Sequence, residues 1–486
     1  MTTFIDWLRG VKFELIALGS TLLVIGSFFS FAIPIGYGND ESVHAYKGYA
    51  LSRGQLTLYK IGPWTTADNY DINVYGGLIP SPLYDLEQTA NSLRTHSKCT
   101  QFECQKPNTN QAEQLQHDSA QPLDGKSLKP TDFWGANSYS FIGYIPSAIG
   151  FGLSSIFNLS AGSSVHIARL ANLLICTLMT LAAFWILRDH RARWLIFAAA
   201  LLPPSIVSFA SLGVDGSLIA LSLLLFASII RIHTDQRASR LIATIAITSA
   251  ILLPLIKLPY AILSLLLFTV PLFSPKRRRL WARIGLASII LIPALLWNVA
   301  AGDAMRTQAI TVHAGTTPPN TAQQISHSLR HPIGTVKIAL SSIISSSPIS
   351  DAGKITQQPG LTVPGDLMIV SFSTILLSAL YATRASRGRR RRSAIKLGLS
   401  LLIACIVVTG GIIASMYFTY NSVGATTIAG VQGRYFLPLY SFAIFSIALL
   451  ANLSISQPTR IAKYIFIATP VIINIITAIW YLGIVY

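Results

Sequence analysis

Long runs of apolar residues alternate with short polar segments along most of this chain. A bilayer core is crossed by roughly 17 to 25 apolar residues in helical conformation, and windows of about that length predict eleven crossings. The predicted crossings are Leu15–Ile35, Val165–Leu187, Trp194–Ser211, Ser217–Ile230, Leu241–Ile256, Leu258–Phe273, Ile284–Ala301, Leu367–Tyr381, Ile395–Phe418, Tyr435–Ala451 and Tyr464–Leu482. The pattern therefore predicts an all-α polytopic membrane protein.

Two long polar stretches interrupt these crossings and divide the chain into five predicted parts. In chain order they are residues 1–36, a cytoplasmic N-terminus with the first helix; 37–164, a large extracytoplasmic loop with an acidic site and interfacial helices; 165–301, a transmembrane bundle; 302–366, a second extracytoplasmic loop; and 367–486, the C-terminal transmembrane helices. Ionisable residues at the mouths of the helices are then the first candidates for chemistry.

Composition and charge agree with this class. The chain is 52% hydrophobic and only 12% charged, which leaves too little polar surface for a soluble globule. The net charge of +18 comes from basic clusters between apolar segments, not from the basic face that a nucleic-acid footprint requires. The expected partner is therefore a lipid bilayer and not nucleic acid.

Lysine and arginine concentrate in alternate loops, whereas most aspartate and glutamate residues lie in the loops between them. Because cytoplasmic loops carry the basic excess, we expect the N-terminus inside the cell and the C-terminus and both long loops outside. The segment Phe141–Phe157 is apolar enough to be a twelfth crossing. A crossing there would invert the charge pattern of every later loop, so we expect a helix at the outer interface.

Two of the four cysteines share the first outer loop. Cys99 and Cys104 predict a local disulfide in an oxidising compartment. A metal pair is the weaker alternative, since no second Cys/His pair stands at zinc-site spacing. Cys176 and Cys405 lie within crossings and are expected to be packing residues. The surrounding polar segment, Asp85–Lys129, predicts a mobile or variable insert with little chemistry.

An acidic cluster follows the first crossing directly. Asp40, Glu41 and His44 begin a predicted helix that runs to Arg53 and ends at Gly54. Asp40 could simply cap that helix, but capping needs one such residue and not three. Either carboxylate is therefore a candidate catalytic group.

Five more polar residues are predicted near the outer ends of later crossings. A buried arginine is costly, so Arg169, which is followed by Asn172, should pair with a carboxylate or an anionic ligand, unless it snorkels to the headgroups. Asp215 lies in a tight turn and could cap a helix. Lys257 could contact a lipid phosphate or snorkel. Arg434 could hold a phosphate bidentately or serve as an interfacial anchor.

Six short motifs follow one another along the chain. They are Asp40-Glu41-x-x-His44, Tyr144-x-Pro146, Arg169-x-x-Asn172, Asp215, Lys257-x-Pro259-Tyr260 and Gly433-Arg434-Tyr435-Phe436-x-Pro438. Their order resembles a bacterial integral-membrane family known as domain of unknown function 2142, which is grouped by fold with the GT-C glycosyltransferases. The similarity runs from about Leu15 to the eleventh crossing, without Asp85–Lys129. Asn39 departs from it, because the family commonly has proline there.

The resemblance implies a GT-C-like transferase of the bacterial cytoplasmic membrane that moves a sugar from a polyprenyl-phosphate donor to a cell-envelope glycan or lipid. It implies Asp40 as general base, with Glu41 as its alternate or as an acceptor or metal ligand. A divalent metal cofactor is thus left open. The resemblance also implies three cations that would hold the phosphate, namely Arg169, Lys257 and Arg434. The other implied substrate-binding residues are His44, Asn172, Asp215, Tyr260 and Tyr435.

Two other functions fit the same residues. A transporter or flippase of lipid-linked saccharides would use the cations to hold a phosphate, but it would not need a carboxylate beside a hydroxyl. A polysaccharide polymerase or ligase would share the transfer chemistry and use a pyrophosphate donor. The sequence does not separate this last alternative from the transferase.

Overall fold

The computed structural model describes residues 12–65, 71–96, 108–123, 125–271, 279–312, 319–345, 353–356, 361–383, 387–455 and 460–485. The described chain is mostly helical, in agreement with the predicted class of a helical multi-pass membrane protein. The cysteines of the predicted disulfide, Cys99 and Cys104, lie outside the described residues.

The N-terminal part consists of one membrane helix followed by a mixed region that corresponds to the first predicted outer loop. Its elements are α1 (Lys12–Ala32), α2 (Glu41–Ser52), β1 (Tyr59–Thr65), β2 (Asp71–Pro80), α3 (Ser81–His96), α4 (Thr109–Ala120), β3 (Leu128–Asp132), a 3₁₀ turn (Phe141–Tyr144) and α5 (Ile145–Ile156).

The rest of the described chain is a helical bundle with a few irregular turns. Its elements are α6 (Ala161–Ile186), α7 (Arg193–Ala200), α8 (Pro203–Phe209), α9 (Asp215–Asp235), α10 (Arg240–Ile256), 3₁₀ turn Leu258–Tyr260, α11 (Ala261–Leu265), 3₁₀ turn Leu266–Thr269, α12 (Arg279–Ala300), α13 (Gly302–Val312), α14 (Thr321–Arg330), α15 (Pro332–Ser345), α16 (Gly365–Ala382), α17 (Gly388–Thr419), 3₁₀ turn Gly433–Leu439, α18 (Tyr440–Ala451) and α19 (Arg460–Val485).

Eight helical segments of the described chain are long and apolar enough to cross a membrane. They are α1, α6, α9, α12, α16, α17, the turn Gly433–Leu439 together with α18, and α19. The other three predicted crossings are helical but shorter or broken, namely α7 with α8, α10, and α11 with its flanking turns. The count of eleven crossings therefore stays a prediction.

Two of the shorter segments are broken by identifiable residues. Pro203 and Pro204 open α8, and Leu202 before them is extended, with ψ at 132°. Proline lacks an N–H and disfavours helix in the preceding residue. Lys257 is likewise extended, and it ends α10 just before a proline-containing 3₁₀ turn. At membrane depth, such non-helical backbone is tolerated where it is buried in protein or lines a cavity.

A three-stranded antiparallel sheet lies in the first outer region, and the sequence reading did not predict it. The central strand β2 pairs with β1 and β3. The polar segment Asp85–Lys129 is also more ordered than predicted, since its described residues include α4 and most of α3. Helix α4 is fixed by a capping box between Asn108 and Gln111, not by the apolar periodicity that reveals longer helices.

Helix α5 has an apolar stripe on its outer face. Ile145, Ile149, Leu153 and Ile156 are all at least 41% exposed, and their spacing places them on one side of the helix. The helix has 12 residues and is about 18 Å long, too short for the ~30 Å hydrocarbon core. The position of Phe141–Phe157 at the outer interface stays a prediction.

Ion pairs join helix ends that the charge pattern places on the same side. Arg193, the first residue of α7, lies 3.3 Å from Glu14 of α1, and Arg231 of α9 lies 3.7 Å from Asp189. These residues all belong to predicted cytoplasmic ends. The helix packing is thus consistent with the predicted alternation of sides.

Replacing Gly150 by alanine should destabilise the protein. A Cβ at Gly150 would lie 2.4 Å from Ala168 Cα and 2.8 Å from the Ile167 carbonyl oxygen, so α5 and α6 would have to separate. We expect a loss of about 1–3 kcal/mol, seen as a lower unfolding temperature in detergent. Gly152→Ala is the control, because nothing lies within 4 Å of its Cβ position. Equal unfolding temperatures for the two variants would contradict the close approach.

Candidate active site

Asp40 lies at the junction between α1 and α2, and it does not cap α2. Its backbone is left-handed, with φ at 53°, and its side chain makes no capping hydrogen bond. Aspartate tolerates this conformation better than most residues do. The helix itself ends at Arg53 and Gly54 as predicted. The carboxylate of Asp40 therefore does something other than cap the helix.

Arg434 joins two carboxylates from distant parts of the chain. Its Nη2 donates to Asp40 Oδ2 at 2.7 Å, and its Nε lies 3.0 Å from Asp215 Oδ2. Asp215 is the first residue of α9, and Arg434 lies in the 3₁₀ turn before α18. The Arg434 side chain is only 8% exposed. Because a buried guanidinium needs such partners, this contact ties three helix ends together.

Lys257 extends the row of charges by one. Its Nζ donates to Asp215 Oδ1 at 2.7 Å and lies 4.1 Å from the ring centre of Tyr435 and 5.0 Å from that of Tyr139. Both rings favour a cation at this distance. The N-cap position of α9 is Val214 and not Asp215, and the Asp215 carboxylate contacts the two cations. The charges alternate in the order Asp40, Arg434, Asp215, Lys257.

This row of charges borders a cavity of about 550 Å³. Asp40 and Lys257 line the cavity, whereas Arg434 and Asp215 do not. Tyr260, Tyr435 and Gln432 complete the polar end, Trp134, Ser138, Tyr139 and Asn298 form the outer wall, and Gly411, Ile412, Ala414, Met416 and Phe418 of α17 form an apolar wall. A carboxylate and a cation thus face the same amphipathic space.

Two interruptions in the membrane helices border the cavity, one after α10 and one before α18. Lys257 and Tyr260 lie at the interruption after α10, and Tyr435 lies in the 3₁₀ turn before α18. The Tyr260 hydroxyl donates to the Tyr435 carbonyl oxygen at 2.5 Å, which holds the two turns together. Interrupted membrane helices recur at binding sites, because their ends offer polar groups at depth.

Glu41 and Arg169 form a buried ion pair away from the cavity. Arg169 Nε and Nη2 donate to the two Glu41 oxygens at 2.7 and 2.5 Å, and both side chains are 1% exposed. The other N–H groups of Arg169 donate to the carbonyl oxygens of Ser30, Ile33 and Pro34. A guanidinium has five N–H donors, so Arg169 is saturated. The structure thus places it with a carboxylate, the first of its predicted alternatives.

Asn172 lies one turn beyond Arg169 on α6 and has a comparable role in packing. Its amide nitrogen donates to the carbonyl oxygens of Phe209 and Ser211 at 3.2 and 2.7 Å. Those carbonyls lie at the end of α8, where helix carbonyls lack partners within the helix. Both amide hydrogens are therefore used by the fold.

The protonation states of Asp40 and His44 follow from burial and from neighbouring charges. Burial raises the pKa of Asp40, but the adjacent Arg434 outweighs it, so the pKa lies below its usual value. Burial lowers the pKa of His44 to about 4, although Asp40 opposes the shift. At neutral pH, Asp40 is therefore ionised and His44 is neutral, with a hydrogen bond of 2.7 Å between His44 Nδ1 and the Tyr144 hydroxyl.

Sequence reasoning missed the residues of the outer wall. Lys47, one turn after His44, donates to the carbonyl oxygens of Ala136 (2.7 Å) and Tyr139, and Trp297 donates to that of Ser138 at 3.1 Å. These contacts fix the position of residues 134–139, and Trp134 in this segment lines the cavity. The sequence signal was the i,i+3 spacing of His44 and Lys47, which puts both on one face of α2.

The described residues contain no group of three or more His, Cys, Asp or Glu side chains placed to hold a metal ion. Glu41, the predicted alternate metal or acceptor ligand, has both carboxylate oxygens bound by Arg169, and its Oε2 also accepts from the Gly38 N–H at 3.2 Å.

Comparisons with known proteins give one match. A family model described as a predicted membrane protein (DUF2142) matches residues 23–443, a range that contains every residue of the site. No curated protein and no solved structure matches the chain.

Glu41→Gln should lower stability more than Asp40→Asn does. Removing the Glu41 charge leaves Arg169 buried without its partner, which typically costs about 3–5 kcal/mol. Asp40 is about one-third exposed, at 35%, and Arg434 keeps Asp215 when Asp40 is replaced. The measurement is the unfolding temperature of purified protein in one detergent. A Glu41→Gln variant with wild-type stability but no activity would instead make Glu41 a catalytic group.

Proposed function

The chain belongs to the DUF2142 family of predicted membrane proteins, and we propose that it is a glycosyltransferase that uses a polyprenyl-phosphate-linked sugar. The acceptor is a cell-envelope glycan or lipid, and transfer takes place at the extracytoplasmic face of the bacterial cytoplasmic membrane. One observation carries this proposal. Asp40 and Lys257 line the same cavity, which also has an apolar wall.

In the proposed reaction, an acceptor hydroxyl oxygen attacks the anomeric carbon of the donor sugar. The bond between that carbon and the phosphate oxygen breaks, and its electron pair leaves with the polyprenyl phosphate. Asp40 accepts the hydroxyl proton as general base. Attack opposite the leaving group inverts the anomeric configuration and needs only one carboxylate beside the acceptor.

Lys257 is the proposed phosphate-binding residue. Its ammonium group lines the cavity, while the Asp215 contact and the two tyrosine rings fix its position. A fixed cation stabilises the negative charge that grows on the leaving phosphate without reorganisation during the reaction. The apolar wall of α17 is the proposed path of the prenyl chain.

Arg434 and Glu41 are proposed to position the site. Arg434 does not line the cavity, so we assign it to the orientation of Asp40 and to keeping that carboxyl ionised. The Glu41 pair with Arg169 fixes the start of α2 against α6, next to Asp40. The sequence analysis assigned phosphate binding to Arg434 and Arg169, and these positioning roles replace that assignment.

The side of the membrane follows from charge asymmetry. The site residues lie at helix ends that the positive-inside rule places outside, with the N-terminus inside and the C-terminus outside. Polyprenyl-linked donors could reach such a site laterally through the bilayer. The supporting observation is that ion pairs join four residues from helix ends that are all predicted to lie outside. These residues are Asp40, Arg434, Asp215 and Lys257.

Asp40→Asn should lower sugar transfer by about 10²–10⁴-fold, the usual contribution of a general base, while polyprenyl-phosphate binding changes little. The assay is transfer by purified protein from a polyprenyl-phosphate sugar. Asp366→Asn is the control, because Asp366 is an exposed carboxylate at the start of α16. Transport of a lipid-linked saccharide at the normal rate by Asp40→Asn, with no transfer by wild type, would favour a flippase.

Arg434→Gln should move the acid limb of the pH–rate profile to higher pH. Without the guanidinium, burial and the neighbouring Asp215 raise the pKa of Asp40, so the base is lost earlier as pH falls. Arg434→Lys keeps a charge and should give a smaller shift. Lys337→Gln, at an exposed residue of α15, is the control. An unchanged acid limb in folded Arg434→Gln would remove Asp40 as the group that titrates.

A further inference from the structure

A second, smaller cavity lies at the opposite end of the bundle. Its volume is about 150 Å³, and its lining comes from the end of α9, the turn after α11 and the first turns of α17. The polar lining residues are His233, Gln236, Thr269, Ser393, Lys396 and Ser400. The charge pattern places this end on the cytoplasmic side.

The chemistry of this cavity suits an anion. None of the described residues that line it is acidic. Lys396 supplies an ammonium group with three N–H donors, and Gln236 supplies an amide. Ser393 and His233 lie 3.4 Å apart across the cavity, joined by a hydrogen bond between Oγ and Nε2. Arg392, one turn before Lys396 on α17, is exposed and is a second positive charge on this part of the helix.

An apolar surface continues from the cavity along the same face of α17. Leu399, Ile403 and Ile406 are 44%, 57% and 62% exposed, and with Lys396 their spacing follows one helix face. From Lys396 to Ile406 the helix rises about 15 Å, which is about half of the ~30 Å hydrocarbon core. The cations therefore lie above an apolar stripe as long as one lipid leaflet is thick.

From this geometry we infer that the small cavity binds the phosphate headgroup of an anionic phospholipid, whose acyl chains lie along Leu399, Ile403 and Ile406. Basic pockets between membrane helices hold such headgroups by charge and hydrogen bonding. The adjoining apolar stripe distinguishes a lipid from a soluble phosphate, because a soluble ion would gain nothing from it. This site is independent of the proposed transferase reaction.

The test compares lipids that differ only in headgroup charge. Purified protein is mixed with equal amounts of dioleoylphosphatidylglycerol and dioleoylphosphatidylcholine, and the retained lipid is counted by native mass spectrometry. We expect selective retention of phosphatidylglycerol by wild type. Lys396→Gln should weaken it about fivefold, the effect of about 1 kcal/mol per basic residue near a lipid surface.

Lys337→Gln is the matched control, because Lys337 is also an exposed lysine but lies on α15, away from the cavity. It should retain phosphatidylglycerol as wild type does. Equal retention of the two lipids by wild type, or unchanged retention by Lys396→Gln, would overturn the inference. So would displacement of the lipid by inorganic phosphate at millimolar concentration, which would mark a site for the soluble ion.

Discussion

The Arg434 contact with Asp40 and Asp215 is the interaction on which the site depends. Asp40 ends the segment after α1, Asp215 begins α9, and Arg434 lies in the turn before α18. A buried charge without a partner costs several kcal/mol, so each of these residues constrains the others. Through Asp215 the same constraint reaches Lys257. The row therefore fixes where a carboxylate and an ammonium group face the cavity.

Polar side chains stabilise the breaks in the membrane helices by binding backbone carbonyl oxygens. Backbone groups that leave the helical ladder need other partners at membrane depth. At the break after α10, the Tyr260 hydroxyl binds the Tyr435 carbonyl oxygen, and at the end of α8, Asn172 binds the carbonyls of Phe209 and Ser211. Several polar residues that suggest ligand binding in the sequence therefore stabilise irregular backbone.

Sequence reasoning found the residues of the site more readily than their roles. Apolar windows located the helices, the cost of buried charge singled out Arg169, and the capacity to bind a phosphate singled out Lys257 and Arg434. Which carboxylate each cation meets depends on packing between segments that are far apart in the chain, as in the contact of Arg434 with Asp40. The sheet of the outer region was not predicted, because β1 carries Gly62 and Pro63 and β2 carries Gly76 and Gly77, residues that weaken strand patterns.

We propose that Lys257 holds the phosphate of a polyprenyl donor beside Asp40, and an experimental structure with a bound polyprenyl phosphate would show whether it does. We expect the phosphate within hydrogen-bond distance of Lys257 Nζ, with the prenyl chain against Gly411 and Met416 of α17. The Lys257→Gln variant should show no such density at the same lipid concentration. Phosphate bound elsewhere in the protein, with the cavity beside Asp40 filled only by water, would rule out this role for Lys257.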